Sequence, residues 1–256
     1  SHDRPDLIIT GGDLIFDSFA QEHARTKSLW EMHARSFRDH APVPVVHTLG
    51  NHDIWGWNKG KSKTTGVEPG WGKKWFCQMA ERDKPYAAFD KGAWRIIQLD
   101  SVHTDPRDPH GYIGKLDEEQ MAWLEAEIRA IPEGRYAAIV SHIPILSLCA
   151  MVFDGSANQK ELRWEVGAGN MHIDGVKLHK LFAANAGKVK LCLSGHIHKL
   201  DRVEMDGITY ICNGAVSGAW WQGRKDRCDE GYGAVELFDD GTFKNDYVTF
   251  GWKAEP

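Results

Sequence analysis

The chain reads as an α/β protein, a two-sheet αββα sandwich, and three observations lead there. Short β-branched or apolar runs recur, each followed by a polar loop and then a helical pattern, which is how βα units are written in sequence. Toward the C-terminus the pattern changes to strand, tight turn, strand, with Asp206-Gly207 as a hairpin signal. The composition, 42% hydrophobic and 26% charged, is that of an ordinary globular protein with enough apolar residues for a core.

The elements follow in order. Asp6 to Thr10 is the first strand and runs into Gly11-Gly12-Asp13. A helix is expected over Phe19 to Arg38, then a strand from Pro44 to Leu49 that ends in Gly50-Asn51-His52-Asp53. Residues 54–72 are rich in Gly, Lys and Trp without a period and read as an inserted surface loop. Tyr86 to Asp90 and Trp94 to Asp100 form paired strands. Glu118 to Arg129 is an amphipathic helix with Met121, Leu124 and Ile128 on one face. Tyr136 to Ser141 is a buried strand ending in His142. A second irregular insertion, 145–173, precedes a helix over Val176 to Ala184. Val189 to Ser194 is a strand followed directly by Gly195-His196-Ile197-His198. Hairpins are expected at Asp201 to Asn213 and around Asp239-Asp240-Gly241. No repeat breaks this layout, and a single domain over 1–256 with two inserted loops is expected.

Charge and cysteine content narrow the function. A net charge of −5 gives no general attraction to nucleic acid, so no nucleic-acid partner is expected and an anionic substrate must be drawn in locally, most simply by metal. No apolar stretch approaches the roughly 20 residues of a membrane span. The five cysteines, Cys77, Cys149, Cys192, Cys212 and Cys228, are scattered with no CxxC pair, so they read as free thiols and lean toward a reducing, cytoplasmic compartment.

Chemistry concentrates at strand ends. Asp13, Asn51 with His52, His142, and His196 with His198 each follow an apolar run, and residues at the carboxyl ends of strands in open α/β sheets can converge on one crevice. Each alone is an ordinary turn or hydrogen-bonded histidine; the joint pattern is the signal.

In that order, Gly12-Asp13, Gly50-Asn51-His52-Asp53, His142 and Gly195-His196-Ile197-His198 resemble the calcineurin-like metallophosphoesterases, whose motifs run D-x-H, G-D, G-N-H-[DE], a lone His and G-H-x-H. The resemblance implies a phosphoester hydrolase with two metal ions. Asp13 would bridge them, Asn51, His142 and His196 would hold one, and His198 the other. Imidazole and hard oxygen ligands suit Mn, Fe, Zn, Co or Ni. It further implies that His52 protonates the leaving-group oxygen, oriented by Asp53 or Asp17. Gln98 to Ser101 followed by Gly114 to Leu124 looks like the branch with cyclic-nucleotide and glycerophosphodiester phosphodiesterases, or is simply a strand and helix. The purple acid phosphatase type is disfavoured, because Phe16 stands where that subtype has a tyrosine ligand. The pair Trp220-Trp221 fits either a base-stacking wall or plain packing.

The D-x-H motif does not precede Asp13, and His2-Asp3 is in the wrong order and off any strand. Two readings follow: a missing N-terminal strand, or partial loss of one metal site. The first fits better, and it implies a weakly held second ion and self-association through sheet surface at Leu7 and Ile9. The competing functions are a non-catalytic binding scaffold on the same fold, against which His52 argues, and a nuclease of the same superfamily.

Overall fold

In the computed structural model, residues 5–224, 226 and 228–253 are described; His2-Asp3 lies outside them. The chain forms two compact units, Ser1–Ala87 and Ala88–Pro256.

The first unit carries β1 (Ile8–Thr10), α1 (His23–His40), β2 (Val45–His47), α2 (Lys59–Ser62) and α3 (Lys74–Met79). β1 and β2 pair in parallel, Ile8 opposite Val45 and Thr10 opposite His47, so their following loops leave the same end. Helix α1 buries Thr26, Leu29, Trp30 and His33, the i, i+3, i+4, i+7 stripe of a one-faced helix. It begins at His23 and not at Phe19, because the Asp17 carboxylate accepts from Phe19 N at 3.0 Å and from Gln21 Nε2 at 3.2 Å, which holds 17–21 as a turn. The 54–72 insertion is held by its tryptophans: Trp55 packs edge-on against Trp75 of α3 at 5.3 Å, and Trp71 Nε1 donates to Gly56 O at 3.0 Å.

The second unit contains β3 (Ala87–Lys91), β4 (Trp94–Leu99), β5 (Val102–Thr104), β6 (Tyr112–Gly114), α4 (Glu118–Ala130), β7 (Tyr136–Ser141), α5 (Leu148–Val152), β8 (Ser156–Asn158), β9 (Arg163–Glu165), α6 (Gly175–Ala183), β10 (Val189–Ser194), β11 (Leu200–Met205), β12 (Ile208–Asn213), β13 (Gly231–Leu237) and β14 (Phe243–Thr249). Six strands form a mixed sheet in the order β11-β12-β10-β7-β4-β3. β4, β7, β10 and β12 are parallel to one another, and β11 runs antiparallel at the edge. The α/β class expected from sequence is the class observed.

Strand alternation divides the sheet's two faces. Ile97, Leu99, Ala137, Ile139, Ile208 and Tyr210 face a core closed by Met121, Leu124 and Ile128 of α4 and by Leu178 and Phe182 of α6. A bulge in β10 between Val189 and Leu191 lets Val189 and Cys192 share that face. On the other face, Trp94 Nε1 donates to Phe238 O at 2.8 Å, and the Asn213 and Asn245 amides exchange hydrogen bonds of 2.8 and 2.9 Å, seating the β13-β14 hairpin there. The 145–173 insertion, which has no period in sequence, holds α5 and the β8-β9 hairpin.

Candidate metal centre

The candidate residues fall into two groups, one in each unit. In the first, the parallel pairing of β1 and β2 delivers Gly12-Asp13 and Gly50-Asn51-His52-Asp53 from the same end. Asp13 lies in left-handed backbone, φ +54°, a conformation a short polar side chain tolerates. Its Oδ1 accepts from His52 N at 2.9 Å. A Cβ on Gly50 would sit 2.1 Å from Asp13 N and 2.3 Å from its Oδ1, so only glycine lets the two loops touch.

Asn51, His52 and Asp53 form one 3-10 turn. Asp53 is fully buried; its Oδ1 accepts from Leu14 N at 2.7 Å and Ile15 N at 3.4 Å, its Oδ2 from Gly50 N at 2.8 Å. One carboxylate thus ties the Asp13 loop to the Asn51 loop. His52 is held through its backbone, whose carbonyl accepts from Ser18 N at 2.8 Å and Ser18 Oγ at 2.7 Å. Its Nδ1 lies 3.7 Å from Asp17 Oδ1.

In the second unit, β7 and β10 are in register, with Leu193 opposite Val140, so the residues just past them come level. Gly195 N donates to His142 O at 3.1 Å, which extends the ladder one step beyond the strands. His196, in left-handed backbone at φ +66°, then turns back so that its Nδ1 is 3.1 Å from Nε2 of the buried His142. His198, at φ +52°, donates from Nδ1 to Gly218 O at 2.7 Å, which puts the lone pair of the neutral ring on Nε2. Its ring is stacked on Trp220, centroids 5.1 Å apart and planes 28° apart.

Sequence reasoning did not single out a support beneath His142. Ser141 Oγ donates to Ile143 O at 2.7 Å and lies 3.2 Å from His172 Nε2, while His172 Nδ1 is 2.9 Å from Asp174 Oδ1. With its hydrogen directed at the Ile143 carbonyl, Ser141 Oγ is the acceptor toward His172 Nε2, and the imidazole is held between serine and carboxylate. Despite burial, the hydrogen bond and charge of His172 hold the Asp174 carboxyl below its usual pKa. These residues are 31 apart in sequence and follow no motif, so no local signal could have linked them.

The profile of the calcineurin-like phosphoesterase family matches residues 1–200. The chain belongs to that family. A comparison with curated protein sequences gives no match. Solved structures of similar fold include a dimetal phosphatase from Danio rerio, 13% identical over 81% of this chain and 71% of that chain, TM-score 0.54. Another is GAP50, the anchor in the inner membrane complex of Plasmodium, 15% identical over 97% of this chain and 75% of that one, TM-score 0.52. The six-stranded mixed sheet with its helices is the fold of this phosphoesterase family. Membership carries metal-dependent phosphoester hydrolysis as the activity class.

The residues fit a metal. Two ligand nitrogens about 2.0–2.1 Å from one ion and about 90–110° apart are separated by about 2.9–3.4 Å, and the His142–His196 pair at 3.1 Å falls within that range. The Gly218 carbonyl sets the His198 tautomer. The donors are imidazole, amide and carboxylate; the five cysteines are free, and Cys192 and Cys212 are buried, which pushes both thiols' pKa up. No helix among the described residues is long and apolar enough to cross a membrane.

Proposed function

We propose that the chain hydrolyses phosphate monoesters and diesters with a dinuclear centre held by Asp13, Asn51, His142, His196 and His198. The observation that carries this reading is the His142–His196 nitrogen pair, placed at the ends of adjacent parallel strands with the spacing of two ligands on one ion. When bound, the metal ions supply charge neutralisation for the phosphoryl group and activation of the attacking water.

The chain's own residues do the rest. Asp13, whose Oδ1 accepts from His52 N, would be the carboxylate shared between the ions. His52 transfers its proton to the leaving-group oxygen as the P–O bond breaks, so that an alcohol departs and not an alkoxide. Asp17, 3.7 Å from His52 Nδ1, orients the ring and offsets its positive charge when protonated. Asp53 acts as a clamp, since its carboxylate is directed at three backbone N–H groups. The Ser141–His172–Asp174 chain fixes the strand end that carries His142.

The test is hydrolysis of p-nitrophenyl phosphate and bis(p-nitrophenyl) phosphate by the purified chain with Mn, Fe, Zn, Co or Ni, with and without chelator. Chelator-sensitive turnover supports the proposal. Metal binding without turnover of either ester would leave the non-catalytic scaffold as the better reading. Activity confined to single-stranded DNA, falling steeply with salt, would point to the nuclease reading.

A further inference from the structure

We infer that Glu230 is a positioning residue for the metal centre: its buried carboxyl group, packed against Gly218, supplies fixed negative charge near His198 and strengthens the hold of that imidazole on a cation. This rests on the proposed metal-dependent hydrolysis and concerns the His198 side of the same site. Glu230 stands just ahead of β13 and is 4% exposed. Its Oε1 is out of contact with water and has no hydrogen-bond partner, the one carboxylate oxygen in that condition among the described residues. Burying such an oxygen without a donor is costly, and the groups that stay so in a native fold are those with a nearby ion or a task at a site. A carboxylate that serves structure alone is met by backbone N–H groups, as both oxygens of Asp53 are.

A single residue separates this carboxyl group from the imidazole. A Cβ on Gly218 would lie 3.0 Å from both Cδ and Oε1 of Glu230 and 3.1 Å from its backbone N. Gly218 is also in left-handed backbone, φ +51°, so glycine is required there both for the turn and for the close approach of Glu230. Gly218 O in turn accepts from His198 Nδ1 at 2.7 Å. The arrangement is pinned from β14: Tyr247 Oη donates to Asp229 O at 2.6 Å and lies 3.3 Å from Ala215 O, while Gly218 N donates to Ala215 O at 2.9 Å. One phenol therefore ties the segment that carries Glu230 to the turn that carries Gly218. Negative charge held in a buried region is weakly screened, so it favours a cation bound at the neighbouring histidine.

The experiment is isothermal titration of Mn into the chelator-stripped full chain as wild type, E230Q, H198A and the double variant H198A/E230Q, with urea midpoints measured on the metal-free samples. E230Q keeps the size of the side chain and removes its charge, and the Mn site that H198A impairs is the one concerned. We expect E230Q to weaken that site about 10- to 100-fold, the range for residues that support a metal ligand, and to leave other Mn binding within about threefold. The metal-free midpoint should stay or rise, because a buried charge without a partner has been removed. In the H198A background E230Q should change Mn affinity by less than about twofold, since the two act through one ligand. Three results overturn the inference and leave the hydrolytic reading standing: wild-type Mn affinity in E230Q, an equal loss of all Mn binding with a lowered midpoint, or an undiminished effect of E230Q in H198A. Mn binding that H198A does not alter overturns the inference together with the assignment of His198 as a ligand.

Discussion

Replacing Asp53 by asparagine separates a clamp from a catalytic partner. The carboxylate makes two short bonds, Leu14 N to Oδ1 at 2.7 Å and Gly50 N to Oδ2 at 2.8 Å, and a longer one from Ile15 N at 3.4 Å, all out of contact with water. Asparagine keeps one oxygen and turns an amide NH2 toward the other backbone N–H, so donor faces donor. A hydrogen bond to a charged group is worth about 1.5–3 kcal/mol, and the surviving bond drops to the neutral range of about 0.5–1.5 kcal/mol. The sum is a loss of about 3 kcal/mol, and D53A, which removes all three acceptor contacts, should lose about 4 kcal/mol. With a urea m-value of about 2 kcal/mol/M, D53N should move the unfolding midpoint by about 1.5 M. Because the loops carrying Asp13 and Asn51 both loosen, turnover of p-nitrophenyl phosphate and of an alkyl phosphate should fall by similar factors. An unchanged midpoint, with a loss confined to the alkyl ester, would refute the clamp and make Asp53 the partner of the general acid.

Four further outcomes are expected. H52A should slow alkyl phosphates by about 10²–10⁴-fold and p-nitrophenyl esters far less, since nitrophenolate leaves without a proton; equal losses on both would assign His52 to structure or metal binding. D17N should show the same leaving-group bias at smaller size, and a D17N enzyme with no bias would remove Asp17 from the proton path. G50A must push the Asp13 loop aside, because its Cβ would lie 2.1 Å from Asp13 N, and a displacement of about 1 Å at a reacting centre can cost about 10²-fold; wild-type kcat in G50A would show that the loops do not need this contact. Burial holds the pKa of His33 and His47 at about 4, below the ordinary 6.5, so the folded state resists protons that the unfolded chain takes up. Stability is therefore complete above about pH 6.5 and falls as pH drops toward about 4, by no more than about 1.4 kcal/mol per pH unit per group. H33L should flatten that decline in urea midpoints measured from pH 7 to 4; an identical slope in H33L would show that other groups cause it.

How much of this was legible in sequence follows from which interactions are local. The strands from Tyr136 to Ser141 and Val189 to Ser194 stand in the structure at those bounds, because an apolar run closed by a polar turn is a local signal. Helix α4, expected over Glu118 to Arg129, runs Glu118–Ala130, its start marked by the Asp117 side chain accepting from Gln120 N at 2.7 Å. Helix α1 begins four residues later than its apolar pattern suggests, since the Asp17 turn competes with the helix for Phe19. The hairpin at β8-β9 carries exposed, mixed residues with no alternation to read, burial pattern aside from Asn158 being wholly exposed. At the candidate centre, the metal-type side chains were legible as residues after strands. Their supports were not: Gly218 O behind His198, Asp53 between two loops and His172 behind Ser141 are contacts 20, 39 and 31 residues apart that only the fold creates.

The central claim is that the histidines at the ends of β7 and β10 hold metal for phosphoester hydrolysis. Metal content per chain, measured after loading and desalting on wild type and on H142A and H196A, together with p-nitrophenyl phosphate turnover on the same samples, tests it most directly. Wild type should retain metal and turn over the ester, and each variant should lose metal and activity in parallel. Retention of the full wild-type metal content by both variants would contradict the account.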